Sequence, residues 1–310
     1  MAIKSISSED MWRIFEDVKN WGRWGADDQR GVLNLITDDK RRAAVALAKE
    51  GAHVSCALSL PTAPGPDNWM PVQHFMVRGG DAQNPAADHG GSADYIGLSP
   101  HGFSMTHLDA LCHFFQKGQM YNGFSMNEVR TDGAQKCSIM AGADGIVTRG
   151  VLLDIPALRG VDWLEPGDVV TADELTAAEE RQNVAVQPGD ALLISTGRDA
   201  RRAAKGTWSP RDLGMAGLHA DCVPWLRERD VAVLGNDGVS DVFPSRVDGW
   251  VQPIHQAAIT AMGIHIIDNA ELARLAAACL GRSRYEFLFV IAPLRLEKGT
   301  ASPINPVAIF

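Results

Sequence analysis

The chain has 310 residues, with 38 acidic against 29 basic side chains, a net charge of −9 and 45% hydrophobic residues. This is the make-up of a globular protein of one large or two modest domains, and an acidic chain without a basic stripe excludes nucleic acid as a main partner. No apolar run reaches membrane-spanning length, and the first residues lead into polar sequence rather than a signal core, so no membrane partner is expected and the expected compartment is the cytoplasm.

In chain order, the apolar stripe Met11, Trp12, Ile14, Phe15 and Val18 predicts a helix over 8–19. A second helix is predicted over 37–48, ending before Gly51. The two form an N-terminal helical arm of about 1–50 on a single domain covering 1–310. The turn between them holds Trp21 and Trp24, aromatic rings that suit a pocket wall or a core. Residues 61–100, rich in Gly, Pro, Asn and Asp, read as long loops of the kind that build sites or interfaces.

Strand-like runs recur over 54–60, 150–155, 191–195, 231–235, 265–267 and 285–293. Between several of them lie helical stretches: one opened near Ala172 by the capping box Thr171-Ala172-Asp173-Glu174, others over 218–229, 253–262 and 270–280. This alternation predicts an α/β fold with a mixed sheet. Five widely spaced cysteines without a C-x-x-C pair exclude a zinc knuckle and argue against a disulfide framework. Cys112, with no cationic neighbour but His113, reads as packing.

The densest chemistry lies in Thr106-His107-Leu108-Asp109-Ala110-Leu111-Cys112-His113. A carboxylate between two imidazoles suits a divalent cation such as Zn²⁺ or Mn²⁺, with one imidazole left for proton transfer. Thr106 reads as the cap of a helix starting near His107, which would put Asp109 and His113 on one face. The alternative is a set of ordinary polar residues at a helix start, with Asp109 on the helix dipole. Further along, His255 follows Pro253 at a helix start, and Asp268 ends an apolar strand. Asp268 suits a metal ligand, but on local sequence it reads first as a cap for a helix at Ala270. Asp237, after the strand at 231–235, suits either a site or a turn. His53, His89, His219 and His265 carry no partner pattern.

Thr106-His107-x-Asp109-x-x-x-His113 resembles the H-x-G-T-H-x-D-x-x-x-H signature of the cyclase family of metal-dependent hydrolases, which includes bacterial kynurenine formamidases and isatin hydrolases. His255, Asp268 and the closing Ala292-Pro293-Leu294-Arg295-Leu296 and Gly299–Pro306 stretches are similar to the family's C-terminal half. The resemblance implies a swivelling β/β/α fold, a homodimer or homotetramer, and hydrolysis of amides with Zn²⁺ or Mn²⁺. It implies His107 and Asp109 as metal ligands, His255 and Asp268 as a second ligand pair, and His113 as the acid–base. The chain departs from the signature where Phe103 and Met105 replace its first histidine and its glycine. Either the first metal position is then empty, or His101 or His74 is the substitute ligand, which favours one metal over two.

The resulting expectation is a hydrolase of a small amide, cyclic amide, imide or lactone, acting on C–N bonds in the amide cases. A bound cation polarises the scissile carbonyl and acidifies water. Trp21, Trp24, Trp69 and Phe103 suit a flat, partly apolar substrate. Two alternatives stand beside this: a degenerate member that binds a small ligand without catalysis, and a metal-dependent lyase or dehydratase. No G-x-S-x-G, Walker or dinucleotide motif points elsewhere.

Overall fold

Residues whose strands are apolar on both faces belong in the middle of a parallel sheet, and four such strands make the spine of this molecule. The computed structural model describes residues 5–310. Numbered in chain order, its central sheet comprises β1 (His53–Ser55), β2 (His107–Asp109), β3 (Ile146–Asp154), β4 (Ala191–Ser195), β5 (Val233–Asn236), β6 (His265–Asp268), β7 (Glu286–Ile291), β8 (Ala301–Pro303) and β9 (Val307–Ile309). Their order across the sheet is β1-β9-β7-β3-β4-β5-β6-β2-β8. β3 to β6 run parallel. The strands outside them pair antiparallel, so the sheet is mixed, as the alternation of strands and helices predicts. Every residue of β4, β5 and β6 is buried.

The helices lie close to their predicted places: Ser8–Asp17, Asp38–Val45, Ala172–Gln182 and Ala273–Arg282. Thr171 and Glu174 form the reciprocal capping box. The helix expected over 218–229 is shorter, Cys222–Glu228, because Leu218 is taken up by a two-residue strand against Val169–Val170. The helix expected over 253–262 starts as Pro253–His255 and continues as a π-helix, Gln256–Met262. One hydrophobic cluster runs from Met11 and Phe15 near the N-terminus to Phe310, and the residues around both N-terminal helices pack into it. Among the described residues no helix is long and apolar enough to cross a membrane.

Two expectations are corrected. The stretch 61–100 is not loop throughout: Gln73–Arg78 and Ala93–Gly97 pair as an antiparallel hairpin whose side chains are almost all exposed. Its β-favouring run Phe75-Met76-Val77 outweighs the turn-rich composition around it. The helix predicted from His107 does not form either, and residues 107–109 are strand. Thr106 caps nothing: its hydroxyl donates to the carbonyl of Asn269 and accepts from the amide of Leu58. Two flanking strands offer residues 107–109 a full hydrogen-bond ladder, and tertiary pairing overrides the helical pattern.

Candidate metal centre

A strand presents alternate residues to one face, so His107 and Asp109 point the same way and Leu108 the other. Asp268 on β6 is the direct cross-strand partner of His107, and directly opposed residues share a face. Three ligand-type side chains therefore converge because of strand register, not helical spacing. His113 arrives by a tight turn after β2, closed by its amide donating to the carbonyl of Ala110 at 3.0 Å. His255 comes from the opposite side, in the short helix that Pro253 opens.

The side chains form two overlapping groups that share Asp109. His107, Asp109 and Asp268 offer ligand atoms within 4.8 Å of one another, and so do His101, Asp109 and His113. His255 Nε2 lies 3.2 Å from Asp268 Oδ2 and 3.7 Å from Asp109 Oδ2. His107 Nε2 lies 3.5 Å from Asp109 Oδ1, while its Nδ1 faces the carbonyl of Met105 at 3.0 Å. Both carboxylate oxygens of Asp109 are buried without a hydrogen-bond partner, as is Oδ1 of Asp268. Bare buried carboxylate oxygens are costly unless a cation or donor meets them. Nitrogen and oxygen donors in this arrangement fit a divalent metal, which His107, Asp109, Asp268 and His255 would hold.

Burial works against ionising Asp109, but the imidazoles of His113, His101 and His107 outweigh it and hold its carboxyl below the usual carboxylate range. For His113 burial dominates and pushes its pKa down to about 4, so the ring is neutral at neutral pH. For His255 burial also opposes charge, yet Asp268 and Asp241 outweigh it and raise its pKa well above the usual value. The thiol of Cys112 is buried and pushed up to about 12, which suits packing and not attack.

Of the two substitutes for the missing first histidine, only His101 reaches the cluster. Its Nδ1 lies 3.0 Å from Asp109 Oδ1, its Nε2 is 3.1 Å from the Thr300 hydroxyl, and its ring stacks on His113 at 3.7 Å. The next residue, Gly102, has φ of 143°, a conformation side chains rarely adopt, and it turns the chain between His101 and Phe103. Phe103 faces away, against Trp208, Met215 and Val239. His74 sits on the exposed hairpin, bound to Asp94. Trp69 packs edge-on to Phe103 and both line a pocket beside His101. Trp21 and Trp24 are not among that pocket's lining residues, and the indole of Trp21 donates to the carbonyl of Thr260.

Asp241 was not foreseen. Its carboxylate sits 2.6 Å from His255 Nδ1, with no local spacing to announce a partner fourteen residues away. Asp237 plays the structural part of its two readings, receiving the amides of Thr196, Gly197 and Arg198 at the start of the helix Arg198–Lys205. Asp268 does not cap the following helix, whose N-cap is Leu272.

The cyclase family model matches residues 54–241, which hold His101, His107, Asp109, His113 and Asp241. The chain belongs to the cyclase family. A crystal structure of a novel cyclase superimposes with a TM-score of 0.85 at 29% identity, covering 96% of this chain and 99% of that one. Isatin hydrolase A from Ralstonia solanacearum gives 0.58 at 22% identity, covering 83% and 91%. A predicted metal-dependent hydrolase from Bacillus stearothermophilus gives 0.50 at 14% identity, covering 83% and 97%. At these last two identities the likeness is one of fold. No curated protein matches the chain. His255 and Asp268 lie beyond the matched stretch, and it is the cyclase fold, through β6 and the helix after Pro253, that brings them to Asp109.

Proposed function

We propose that this cyclase-family chain is a metal-dependent hydrolase of a small amide, cyclic amide or imide, or lactone. The observation that carries the reading is Asp109, whose two buried carboxylate oxygens lie among four imidazoles and Asp268. In this reading His107, Asp109, His255 and Asp268 hold Zn²⁺ or Mn²⁺, and His101 stands in for the missing first histidine of the signature. When bound, the cation supplies Lewis acidity, polarising a carbonyl and lowering the pKa of water. His113, neutral at neutral pH, takes a proton from the attacking water and returns it to the leaving nitrogen or oxygen. Asp241 holds the His255 ring so that Nε2 faces the centre. Phe103 and Trp69 meet edge-on beside His101 around a cleft of only about 10 Å³, so a flat substrate would rest against their rings rather than enter between them.

The isatin hydrolases among the fold relatives make isatin-type cyclic amides the first substrates to assay, with simple amides and lactones beside them. Assembly as a homodimer or homotetramer belongs to the same reading. It is supported by the hairpin's exposed Phe75, Met76, Val77, Tyr95 and Ile96, a patch of the kind that partners cover. Five buried, unpaired cysteines support a reducing compartment such as the cytoplasm.

The test is metal content per chain after removal of loosely bound ions. About one or two equivalents, lost in Asp109→Ala, would support the hydrolase and give its nuclearity. No bound metal after incubation with Zn²⁺ or Mn²⁺ would overturn it in favour of the ligand-binding alternative.

A further inference from the structure

The segment 101–105 carries both His101, whose Nδ1 lies 3.0 Å from Asp109, and one wall of the cleft beside it, yet it lies outside the strands. Its shape is held by three carbonyl oxygens. Phe103 O accepts from Arg198 Nη2 at 2.5 Å. Gly102 O and Met105 O accept from the side-chain amide of Asn269 at 2.8 and 3.1 Å. Arg198 Nη1 in turn donates to Asn269 Oδ1 at 2.6 Å and to Asp237 O at 3.0 Å. Asn269 directly follows Asp268, so one guanidinium ties the 101–105 segment to the strand end that bears a candidate ligand.

The same guanidinium reaches the second loop of the pocket. Arg198 Nη2 lies 3.5 Å from Asp67, and Arg202 lies 3.2 Å from the same carboxylate. Asp67, Asn68 and Trp69 line the pocket with Phe103, and Ser104 donates to Asn68 at 3.0 Å. A buried cation is costly to keep and needs many partners. Here the side chain is almost wholly buried, and its two Nη groups are directed at elements that border the centre. The planar fork of arginine is suited to several acceptors at once, and lysine is not.

We propose that Arg198 is a positioning residue for the reaction: its buried guanidinium sets the 101–105 segment, holding His101 toward Asp109 and Phe103 against Trp69 as the pocket wall. The proposal rests on the hydrolase reading above for its kinetic part alone. Displacement of such a segment lowers the fraction of substrate bound in a productive pose. The four ligands on β2, β6 and the helix after Pro253 are held independently by strand pairing and by Asp241. Loss of the clamp therefore leaves these four ligands in place, so metal is still bound at saturation, and it acts on the pocket wall and on the support that His101 gives to Asp109.

The experiment compares wild type with Arg198→Lys, which keeps a charge beside Asp67 but cannot reach Phe103 O, Asn269 and Asp237 together. Three quantities are read: Mn²⁺ content, chymotryptic cleavage after Phe103 mapped by mass spectrometry, and KM against kcat on a substrate from the panel above. The expected result is wild-type Mn²⁺ content at saturating Mn²⁺, cleavage after Phe103 faster by at least about tenfold through local opening, and KM raised at least about fivefold with kcat changed less. Unchanged cleavage, cleavage accelerated equally across the chain, or unchanged KM would overturn the proposal. If Arg198→Lys does not fold, wild type decides: rapid native-state cleavage after Phe103 means that no clamp exists, and resistance there upholds it. If wild type hydrolyses nothing, the hydrolase reading falls, while cleavage and Mn²⁺ content still judge the clamp.

Discussion

Asp241 grips His255 from behind: the carboxylate meets Nδ1 at 2.6 Å and accepts the backbone amides of Ile254 and His255 at 2.7 and 3.1 Å. Nδ1–H is thereby a donor to Asp241 and Nε2 faces Asp268 and Asp109, where the raised pKa keeps a proton on it until a cation takes that place. Partners of this kind orient a ligand ring and raise its basicity, and their loss costs about 10- to 100-fold in metal affinity. Asp241→Asn keeps the shape and one acceptor, so the fold should survive with Zn²⁺ or Mn²⁺ affinity reduced within that range. A competition titration against a chelator measures it. Affinity unchanged within about twofold would remove His255 from the ligand set.

At His113 burial outweighs the pull of Asp109, and this leaves the ring neutral and available. His113→Ala should retain full metal content and lose at least about 10²-fold in turnover, the lower range for acid–base groups. Substrate binding should change far less. Normal turnover in this variant would reassign the proton transfer to another group.

The positions of His101 and Phe103 give opposite forecasts for two neighbouring substitutions. Phe103 packs into a satellite cluster with Trp208, Met215 and Val239, so Phe103→His should not add a metal equivalent even though it restores the signature's residue. His101→Ala removes a ring 3.0 Å from Asp109 and should weaken metal binding by a measurable factor. Elemental analysis and titration of both variants decide the matter. A second equivalent gained by Phe103→His would mean that the segment swings freely between the two side chains.

The sequence made the spine of the sheet easy to read and the centre harder. Ala191–Ser195 is a short, mostly apolar run buried on both faces, so pattern and structure agree to the residue. His107-Leu108-Asp109 fits a helix through the spacing of Asp109 and His113, and a strand through its polar–apolar alternation. Only the neighbours β6 and β8 decide for the strand, and they lie more than 150 residues further along the chain. The ligand types were legible because few side chains bind cations, while their supports were not. Asp241, Asn269 and Arg198 act through backbone carbonyls, amides and one ring nitrogen, contacts that leave no spacing in the sequence.

A last forecast concerns acid stability and a histidine outside the centre. His265 is completely buried at the start of β6, and neither ring nitrogen has a hydrogen-bond partner among the described residues. Burial, helped by Arg30 and opposed by Asp109 and Asp28, pushes its pKa from 6.5 down to about 4. The unfolded chain therefore binds this proton more readily than the folded one, so the contribution to stability is fully present above pH 6.5 and is lost as the pH falls towards 4. At about 1.4 kcal/mol per pKa unit the loss approaches about 3 kcal/mol. His113 acts in the same direction and His255 in the opposite one, so the pH dependence of wild type alone is a mixture. The difference between wild type and His265→Leu isolates the residue. Urea unfolding of both, in the presence of chelator at pH 7 and pH 4.5, should show wild type losing more stability than the variant by about 2 kcal/mol or more. Equal losses would mean that water or a shifted neighbour solvates the ring and that its burial carries no acid sensitivity.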